Sequence, residues 1–517
     1  MRNIFDEYLA GNPEVLDFFA GAPQDLFTKA PHPGALDEGL VQAIQEYQAR
    51  LGGQPPVLSC GDAVVVTGQQ PALFAGPLYT IYKAVTVIRL ARKIEAAFRV
   101  RCVPMFWLAA DDHDFEEART AHFLSRTHEP FAATYAPEET VQGRSMYFVP
   151  LEDTLHKLVN EVVDKTAGSE FKEGVVAFLH DALSCSASLA DWSGRILARL
   201  FQGTGLTLFA PHIPAARELA REALEPEIAE PLRNTRLINE TGMRLEKLGF
   251  ARQLAKSDNE CNFFLQMGGR RRKVLFEKNR FHLPEEGIEC SVEDMLALLR
   301  TSPERFSPNV ALRCIVQQRL FSPAAYVAGP GEVAYWAQFK PVFERYGCAM
   351  PVVYPRARAV LTTLKLNKLR QHYGFGLDDL AAGRDILVQR ALRHIARDPA
   401  RETLARRRDE VQRALRRLTE DLKEQNLQAA SMAQGLERRI EAGLDRLDRA
   451  LILGDAAKRT AVEKHVARLC NELMPFRKPQ ERVYTVFAFL FEYGWDLIPR
   501  LLQALDIESF RTHEVEL

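Results

Sequence analysis

Short runs of apolar residues recur along the chain, separated by longer segments with helical spacing. The runs cover residues 63–67, 103–110, 206–210, 324–328 and 350–354. Between the first two runs, the spacing of apolar residues predicts a helix over residues 78–97. Strands that alternate with helices are typical of an α/β protein with a parallel, doubly wound sheet, in which ligands bind at the carboxyl ends of the strands.

Two segments interrupt this core, which we place at residues 61–375. The insertions lie at about 118–200 and 215–305. The first contains two segments, 116–135 and 143–151, that predict short strands. In the second, the pattern predicts a long helix from about residue 215 to 248, interrupted at Pro226 and Pro231, followed by a hairpin that turns at Gly268 and Gly269.

The two ends of the chain differ from the core. Residues 1–60 predict a helical lead-in broken by Pro and Gly. Residues 380–474 carry leucines at steps of three, four or seven among many charges, so they predict a helical coiled-coil hairpin with a turn at 453–455. The seam of such a hairpin is expected to pair with a second copy as a homodimer. The aromatic tail, residues 475–517, is expected to pack back on the core.

The first polar loop follows the first apolar run and spans residues 68–83. It begins with Gln69 and Gln70, and its Gly76 and Pro77 lead into the predicted helix. Free N–H groups at that helix start would suit an anion, and Lys83 would add charge one turn later. The loop has neither the G-x-G-x-x-G nor the G-x-x-x-x-G-K-[ST] fingerprint, so a Gly/Pro loop that only feeds a helix is the alternative.

The second apolar run ends in a cluster of four polar residues: Asp111, Asp112, His113 and Asp114. Carboxylates this close raise one another's pKa, which a cation would relieve. The cluster therefore predicts Mg²⁺ coordination, recognition of an ammonium group, or a general base at His113. Helix capping by one Asp is the alternative, and it leaves the other three residues unexplained.

A third polar loop has the layout of the first. Gly329, Pro330 and Glu332 follow an apolar run, and Tyr335 and Trp336 stand behind them. We expect the two loops to face each other across a crevice. Upstream lies a polar series: Ser307, Asn309, Arg313 and Gln317. Arg313 is a candidate clamp for a carboxylate or phosphate, and a surface ion pair is its alternative.

A compact basic patch, Arg270 to Lys273, lies beside the predicted hairpin turn. The simplest interpretation is a solvated hairpin tip. The alternative is a contact with a phosphate or carboxylate from a mobile flap.

Composition excludes several classes of partner. With a net charge of -1, neither nucleic acid nor a membrane surface has electrostatic support as a partner. The N-terminal residues lack the apolar core of a signal peptide, and no apolar run reaches the roughly 18 residues of a spanning helix. The eight cysteines include no C-x-x-C pair, which is typical of reduced thiols. These features predict a cytoplasmic protein.

Six motifs give the chain a resemblance to a known family. They are TGQQPALFAGPLYTIYKA (67–84), VPMFWLAADDHDFEEA (103–118), SPNVALRCIVQ (307–317), AYVAGPGEVAYW (325–336), MPVVYPR (350–356) and KPQERVY (478–484). In these segments the chain resembles the BshC family of cysteine ligases in bacillithiol biosynthesis. The resemblance implies a Rossmann-like core with two connecting insertions, similar to class I aminoacyl-tRNA synthetases and nucleotidylyltransferases, and a coiled-coil domain that pairs subunits.

The resemblance also implies a reaction, in which cysteine is joined through its carboxyl group to the amine of glucosaminyl-malate. Amide formation in water is uphill, so activation by ATP, with Mg²⁺ as its companion ion, is expected through an acyl-adenylate or an acyl-phosphate. The family commonly has His where this chain has Tyr82, which argues against a phosphate contact there. The alternatives are a nucleotidyltransferase acting on another small molecule and a non-catalytic dimeric scaffold.

The implied roles divide among the candidate residues. Catalysis falls to Asp112, His113 and Asp114, with His113 as the base and the group as a site for the amine or a metal. The remaining candidates are substrate-binding residues: Gln69, Gln70, Gly76, Pro77, Tyr79, Lys83, Asp111, Arg313, Gln317, Gly329, Pro330, Glu332, Tyr335 and Trp336. Among them Gly76, Pro77, Tyr79 and Lys83 would hold phosphates or the malate carboxylates.

Overall fold

The computed structural model describes residues 2–395 and 399–517, which separate into two units. The first unit comprises residues 1–360 and 481–515, and the second comprises residues 361–480. The strands are β1 (Ala63–Gln69), β2 (Cys102–Leu108), β3 (Thr120–Leu124), β4 (Pro130–Thr134), β5 (Thr207–Phe209), β6 (Glu260–Met267), β7 (Arg270–Glu277), β8 (Arg280–Leu283), β9 (Ile288–Cys290), β10 (Phe306–Pro308), β11 (Ala325–Ala328), β12 (Val352–Pro355), β13 (Arg358–Thr362) and β14 (Thr512–Glu516).

Twenty α-helices precede, connect or follow these strands in the described residues. They are α1 (Ile4–Leu9), α2 (Pro13–Leu16), α3 (Glu38–Arg50), α4 (Leu78–Phe98), α5 (Phe115–Ala118), α6 (Thr154–Lys165), α7 (Lys172–Ser184), α8 (Leu189–Leu200), α9 (Pro214–Ala229), α10 (Arg233–Lys247), α11 (Val292–Thr301), α12 (Val310–Phe321), α13 (Pro330–Trp336), α14 (Lys340–Arg345), α15 (Leu364–His372), α16 (Arg384–Ile395), α17 (Pro399–Gln425), α18 (Leu427–Leu473), α19 (Phe487–Tyr493) and α20 (Leu497–Ala504).

The central sheet of the first unit has the strand order β12-β11-β1-β2-β5, and each neighbouring pair is parallel. Counted along the chain, the core strands stand in the order five, four, one, two, three, which is the doubly wound Rossmann order. The predicted α/β fold class and its strands are therefore confirmed. The strand order reverses between β1 and β11, and a ligand crevice is expected at that switch point.

Strand β1 is apolar on both of its faces, as a central parallel strand should be. Val64, Val65 and Val66 are fully buried, and α4 packs against both β1 and β2. The predicted helix over 78–97 is confirmed by α4, which spans Leu78–Phe98. A left-handed backbone at Arg99 ends this helix. The first polar loop, which connects β1 to α4, therefore lies at the carboxyl end of the sheet.

The first insertion contains an antiparallel β3–β4 pair, which confirms the strands predicted in 116–135, and three helices, α6 to α8. The strands predicted at 143–151 are wrong, because Met146–Phe148 forms a 3-10 turn. The backbone N–H of Met146 is bonded instead to the carbonyl of Asp112 at 2.8 Å, so this segment lies against the end of β2.

The second insertion carries an antiparallel sheet in the order β10-β6-β7-β8-β9. Its β6–β7 hairpin turns at Gly268 and Gly269, whose φ angles of 55° and 77° require the left-handed region that glycine adopts freely. The interruption predicted at Pro226 is wrong, since Pro226 lies inside α9. The helical run breaks only beyond α9, where Leu232 has a left-handed backbone.

The second unit contains the predicted helical hairpin, formed by α17 and α18. Its turn lies at Asn426, whose side chain accepts from the N–H groups of Gln428 and Ala429 and so caps α18. The turn predicted at 453–455 is wrong because α18 runs through it. The two helices are joined by hydrogen bonds such as that from Gln412 Nε2 to Glu441 Oε1, at 2.7 Å.

The C-terminal residues 481–515 belong to the first unit. There the Thr485 hydroxyl donates to the carbonyl of Phe74 at 2.9 Å.

Each helix that the structure describes is too short or too polar to cross a lipid bilayer.

Gly68 offers a test of how tightly β1 and β2 approach. A Cβ at this position would lie 2.8 Å from the carbonyl oxygen of Trp107 and 3.0 Å from its Cβ. We expect Gly68→Ala to lower the free energy of unfolding by about 1–3 kcal/mol, measured by chemical denaturation. Gly331→Ala is the matched control, since a Cβ at Gly331 has no atom within 4 Å. Equal stability of the two variants would contradict this account.

Candidate active site

A cavity of 570 Å³ opens at the carboxyl ends of the core strands, around the switch point. Most of the predicted site residues come together in its wall: Gln69, Gln70, Tyr79, Lys83, Asp111, Asp112, Arg313, Gly329, Pro330, Glu332 and Tyr335. They come from segments more than two hundred residues apart in sequence. A pocket of this size that combines apolar and polar groups is typical of a small-molecule site.

Lys83 and Glu332 join the two polar loops at the base of this cavity. The Lys83 ammonium lies 2.5 Å from the Glu332 carboxylate, and it donates to the carbonyl of Gly68 at 2.8 Å and to Gln69 Oε1 at 3.0 Å. Because Lys83 belongs to the first loop and Glu332 to the third, the expectation that these loops face each other is confirmed.

Glu332 is a hydrogen-bond centre as well as an ion-pair partner. It accepts from the Tyr326 hydroxyl and from the N–H of Gly329, both at 2.7 Å. Burial alone would raise its pKa, but Lys83 and these donors outweigh that effect and hold the pKa below its usual value. Burial lowers the pKa of Lys83, against the pull of Glu332. The carboxylate is therefore committed to internal partners.

Arg313 stands on α12, whose start is capped by the Asn309 side chain. Its guanidinium lies 5.4 Å from the ring centre of Tyr326 and donates to the Tyr335 hydroxyl at 3.4 Å. Within the described residues, no carboxylate lies close enough to form an ion pair with it. The surface ion pair considered as an alternative is thus absent, and the guanidinium faces the cavity.

The four residues of the 111–114 cluster have different environments. Asp111 is buried and forms an ion pair with Arg217. Asp112 Oδ1 accepts from the N–H groups of His113 and Asp114 at 2.7 and 3.1 Å. Asp114 accepts from the N–H of Glu117 and caps α5, so the helix-capping alternative is confirmed for this one residue.

His113 and Asp114 lie in the wall of a second cavity, of 1210 Å³, next to the first. The Nδ1 atom of His113 is 3.5 Å from Nη1 of Arg271, and its ring meets Phe264 edge-on. Burial and the Arg271 charge lower the pKa of His113, while Asp112 and Asp114 oppose them. A neutral imidazole of this kind can accept a proton.

Four predicted site residues lie outside both cavity walls: Gly76, Pro77, Gln317 and Trp336. The expectation of free N–H groups at the start of α4 is wrong for Leu78, because the Leu78 N–H donates to the carbonyl of Tyr484 at 2.8 Å. Trp336 is buried and packs on Tyr326, with ring centres 4.7 Å apart. Gln317 is buried one helical turn beyond Arg313.

Tyr82, which stands where the resembling family commonly has His, is also fully buried. Burial raises its pKa, and it lines neither cavity. A phosphate contact at this position is therefore not available to its hydroxyl.

Sequence patterns did not single out three charged residues of the first cavity, Glu117, Arg356 and Arg482, and placed a fourth, Arg271, only in the basic patch. The Arg356 guanidinium makes two bonds to the Glu481 carboxylate, at 2.6 and 3.0 Å. Arg356 and Arg482 could have been found from the sequence, because they lie in the motifs MPVVYPR and KPQERVY. The solvated hairpin tip was the wrong interpretation for Arg271, which lies 4.0 Å from the ring centre of Phe264 inside the cleft.

No set of three or more His, Cys, Asp or Glu side chains is arranged to hold a metal ion in the part of the chain that the structure describes. In particular, Asp111 is paired with Arg217 and Asp114 caps a helix.

Two family models match the chain and together span it. One is described as "Bacillithiol biosynthesis BshC, N-terminal Rossmann-like domain" and matches residues 1–357. The other is described as "Bacillithiol biosynthesis BshC, C-terminal coiled-coil domain" and matches residues 359–517.

Curated relatives named "Putative cysteine ligase BshC" match along most of the chain. The protein of Symbiobacterium thermophilum is 30% identical over 90% of this chain and 85% of its own length. That of Geobacillus thermodenitrificans is 31% identical over 90% of this chain and 87% of its own length. A crystal structure described as a "putative arginyl t-RNA synthetase" from Campylobacter jejuni covers 86% of this chain and 98% of its own, at 10% identity and a TM-score of 0.22, too low to support an argument.

The ion pair between Lys83 and Glu332 can be tested by a double-mutant cycle. Lys83→Met and Glu332→Gln should each lower the free energy of unfolding by about 3–5 kcal/mol, because each leaves a buried group without its partner. The double variant should lose less than the sum of the two, measured by chemical denaturation. Additive losses would show that the two side chains do not depend on each other.

Proposed function

The chain belongs to the BshC family of bacillithiol biosynthesis, and from that membership we propose that it is a cysteine ligase. The reaction joins the carboxyl group of cysteine to the amine of glucosaminyl-malate. Relatives that match about nine-tenths of the chain carry the name cysteine ligase. The proposed site is the 570 Å³ cavity at the switch point of the sheet, where Rossmann folds bind their ligands.

Amide formation from a free carboxylate requires activation, and we assign that task to ATP as a co-substrate, with Mg²⁺. ATP would convert the cysteine carboxylate into an acyl-phosphate with release of ADP, or into an acyl-adenylate with release of pyrophosphate. The amine nitrogen then forms the C–N bond as the bond from the acyl carbon to the phosphate oxygen breaks. The ammonium proton must leave before this attack, and phosphate or AMP departs.

The cavity fits anionic ligands through side chains and not through a glycine fingerprint. Arg313 carries most weight here, because its guanidinium faces the cavity without a carboxylate partner among the described residues. Arg482 lies at the same wall and is exposed. A guanidinium of this kind binds carboxylate or phosphate oxygens in pairs. We assign to Arg313 the cysteine carboxylate or the phosphate that activates it.

Proton removal from the amine is assigned to His113. Its pKa lies below the usual value because burial and Arg271 disfavour the charged ring, so the imidazole is neutral at neutral pH. Asp112, the residue before His113, lines both cavities. It would hold the ammonium group before the proton is removed.

The test is a direct assay of the full chain with cysteine, glucosaminyl-malate and Mg-ATP, analysed by mass spectrometry. We expect the amide product together with ADP or AMP, and the nucleotide that appears distinguishes the two routes. Turnover of ATP only with another acceptor would favour a nucleotidyltransferase. Neither product nor turnover would favour the dimeric scaffold.

The same assay tests His113. His113→Ala should slow product formation by about 10²–10⁴-fold, the usual contribution of a general base. In the unmodified protein, activity should fall as the pH drops through the pKa of His113, below its ordinary value of about 6.5. His282→Gln, on β8 and outside both cavities, is the control. Product at the unmodified rate from His113→Ala would remove this residue from the mechanism.

We also propose that the chain forms a homodimer through its coiled-coil hairpin and that it acts in the cytoplasm. Large apolar side chains of the hairpin are exposed in the single chain, including Leu418 and Leu436 at 45% each and Leu447 at 56%. An apolar seam of this kind is typical of a helix that pairs with another copy.

Light scattering of the full chain tests the dimer. We expect the mass of two copies, reduced to one copy when Leu418 and Leu447 are both replaced by Glu. Val57→Glu, at an exposed apolar position in the first unit, should leave the mass unchanged. A single-copy mass for the unmodified protein at micromolar concentration would overturn the proposal.

A further inference from the structure

The larger cavity, of 1210 Å³, has walls of opposite charge. One wall is formed by the 112–117 segment after β2, and the other by the start of β7. The two cavities share Gln70, Asp112, Glu117 and Arg271, so a molecule in one can meet a molecule in the other at this boundary.

The β7 wall carries two guanidinium groups, those of Arg270 and Arg271. Neither Arg270 nor Arg271 forms an ion pair with any residue that the structure describes. Their neighbours on the strand differ: Arg272 pairs with Glu285 and Glu286, and Lys273 pairs with Glu260 at 2.6 Å. The basic patch is thus half neutralised, and the unneutralised half lines the cavity.

Both arginines are held in place by other contacts. Arg271 donates from Nε to the Ser307 hydroxyl at 2.9 Å and from Nη2 to the carbonyl of Pro308. Its backbone N–H donates to the carbonyl of Gly143 at 2.8 Å, and Arg270 bridges Arg144 through the backbone. The first insertion therefore holds the backbone at the start of β7, where the two arginines line the cavity.

The opposite wall supplies carboxylates. Asp112, Asp114 and Glu117 line it, and burial together with the two Asp charges raises the pKa of Glu117. The cavity's remaining carboxylates already have cationic partners, as in Glu116 with Arg119 at 3.2 Å and Glu139 with Arg144 at 3.2 Å. A positively charged group on a ligand would therefore go to the 112–117 wall.

We propose that the larger cavity binds the acceptor substrate, an amine that also carries two carboxylates. Arg270 and Arg271 bind the carboxylates, and the 112–117 wall receives the amine at the boundary with the first cavity. This inference rests on the proposed function. It separates the acceptor from the cysteine and nucleotide, which occupy the first cavity, and it makes the two arginines specificity-determining residues.

The test compares the binding of glucosaminyl-malate and of glucosamine, which lacks both carboxylates, by calorimetry with the full chain. Arg270→Gln and Arg271→Gln should each weaken glucosaminyl-malate binding by roughly tenfold, the effect of losing one bond to a charged group. Binding of glucosamine should not change. The KM values for cysteine and ATP should stay the same in Arg270→Gln, because Arg270 lines only the larger cavity.

Two further variants, together with the product assay of the unmodified protein, make the outcome decisive. Arg270→Lys, which keeps the charge, should restore part of the affinity. Arg280→Gln removes a charge from β8 outside both cavities and should bind normally. If the unmodified protein makes product while Arg270→Gln binds glucosaminyl-malate equally well, the inference is wrong and the ligase function stands. If the unmodified protein neither binds this acceptor nor makes product, both fail.

Discussion

The ion pair between the buried Lys83 and the half-buried Glu332 is the interaction on which the rest of the site depends. Taking two charges out of water is costly, and the cost is offset only where every donor finds an acceptor. Lys83 meets this condition, since its ammonium has three donors and contacts Gly68, Gln69 and Glu332. The pair ties the loop after β1 to the loop after β11, and so sets the width of the crevice where the strand order reverses.

Around this fixed base, the insertions supply the charges that face a ligand. Arg271 reaches the crevice from a hairpin in the second insertion, and the first insertion holds that hairpin through Gly143. Arg356 leaves the end of β12 and is held by Glu481 from the C-terminal segment. The core therefore contributes the position of the site, while segments remote in sequence contribute much of its charge.

The polar cluster after β2 shows how one short sequence can serve several purposes. Asp111 neutralises the buried Arg217, and Asp114 caps α5. Asp112 and His113 then remain turned towards the cavities. The proposed reaction requires that an ammonium group be held, that its proton be removed and that carboxylates be bound nearby. We propose that this division of the cluster serves that reaction, beside guanidinium groups that form no ion pair among the described residues.

The sequence by itself determined the fold class, the core strands, α4 and most of the first cavity wall, because apolar periodicity and strand-end loops are local features. It did not determine that Tyr484 would occupy the N–H of Leu78, that Trp336 would turn into the core, or that Arg271 would be drawn into the cleft. Each of these depends on a partner far away in the chain. Only the tertiary structure decided them, since local spacing carries no information about which distant carbonyl, ring or carboxylate will satisfy a group.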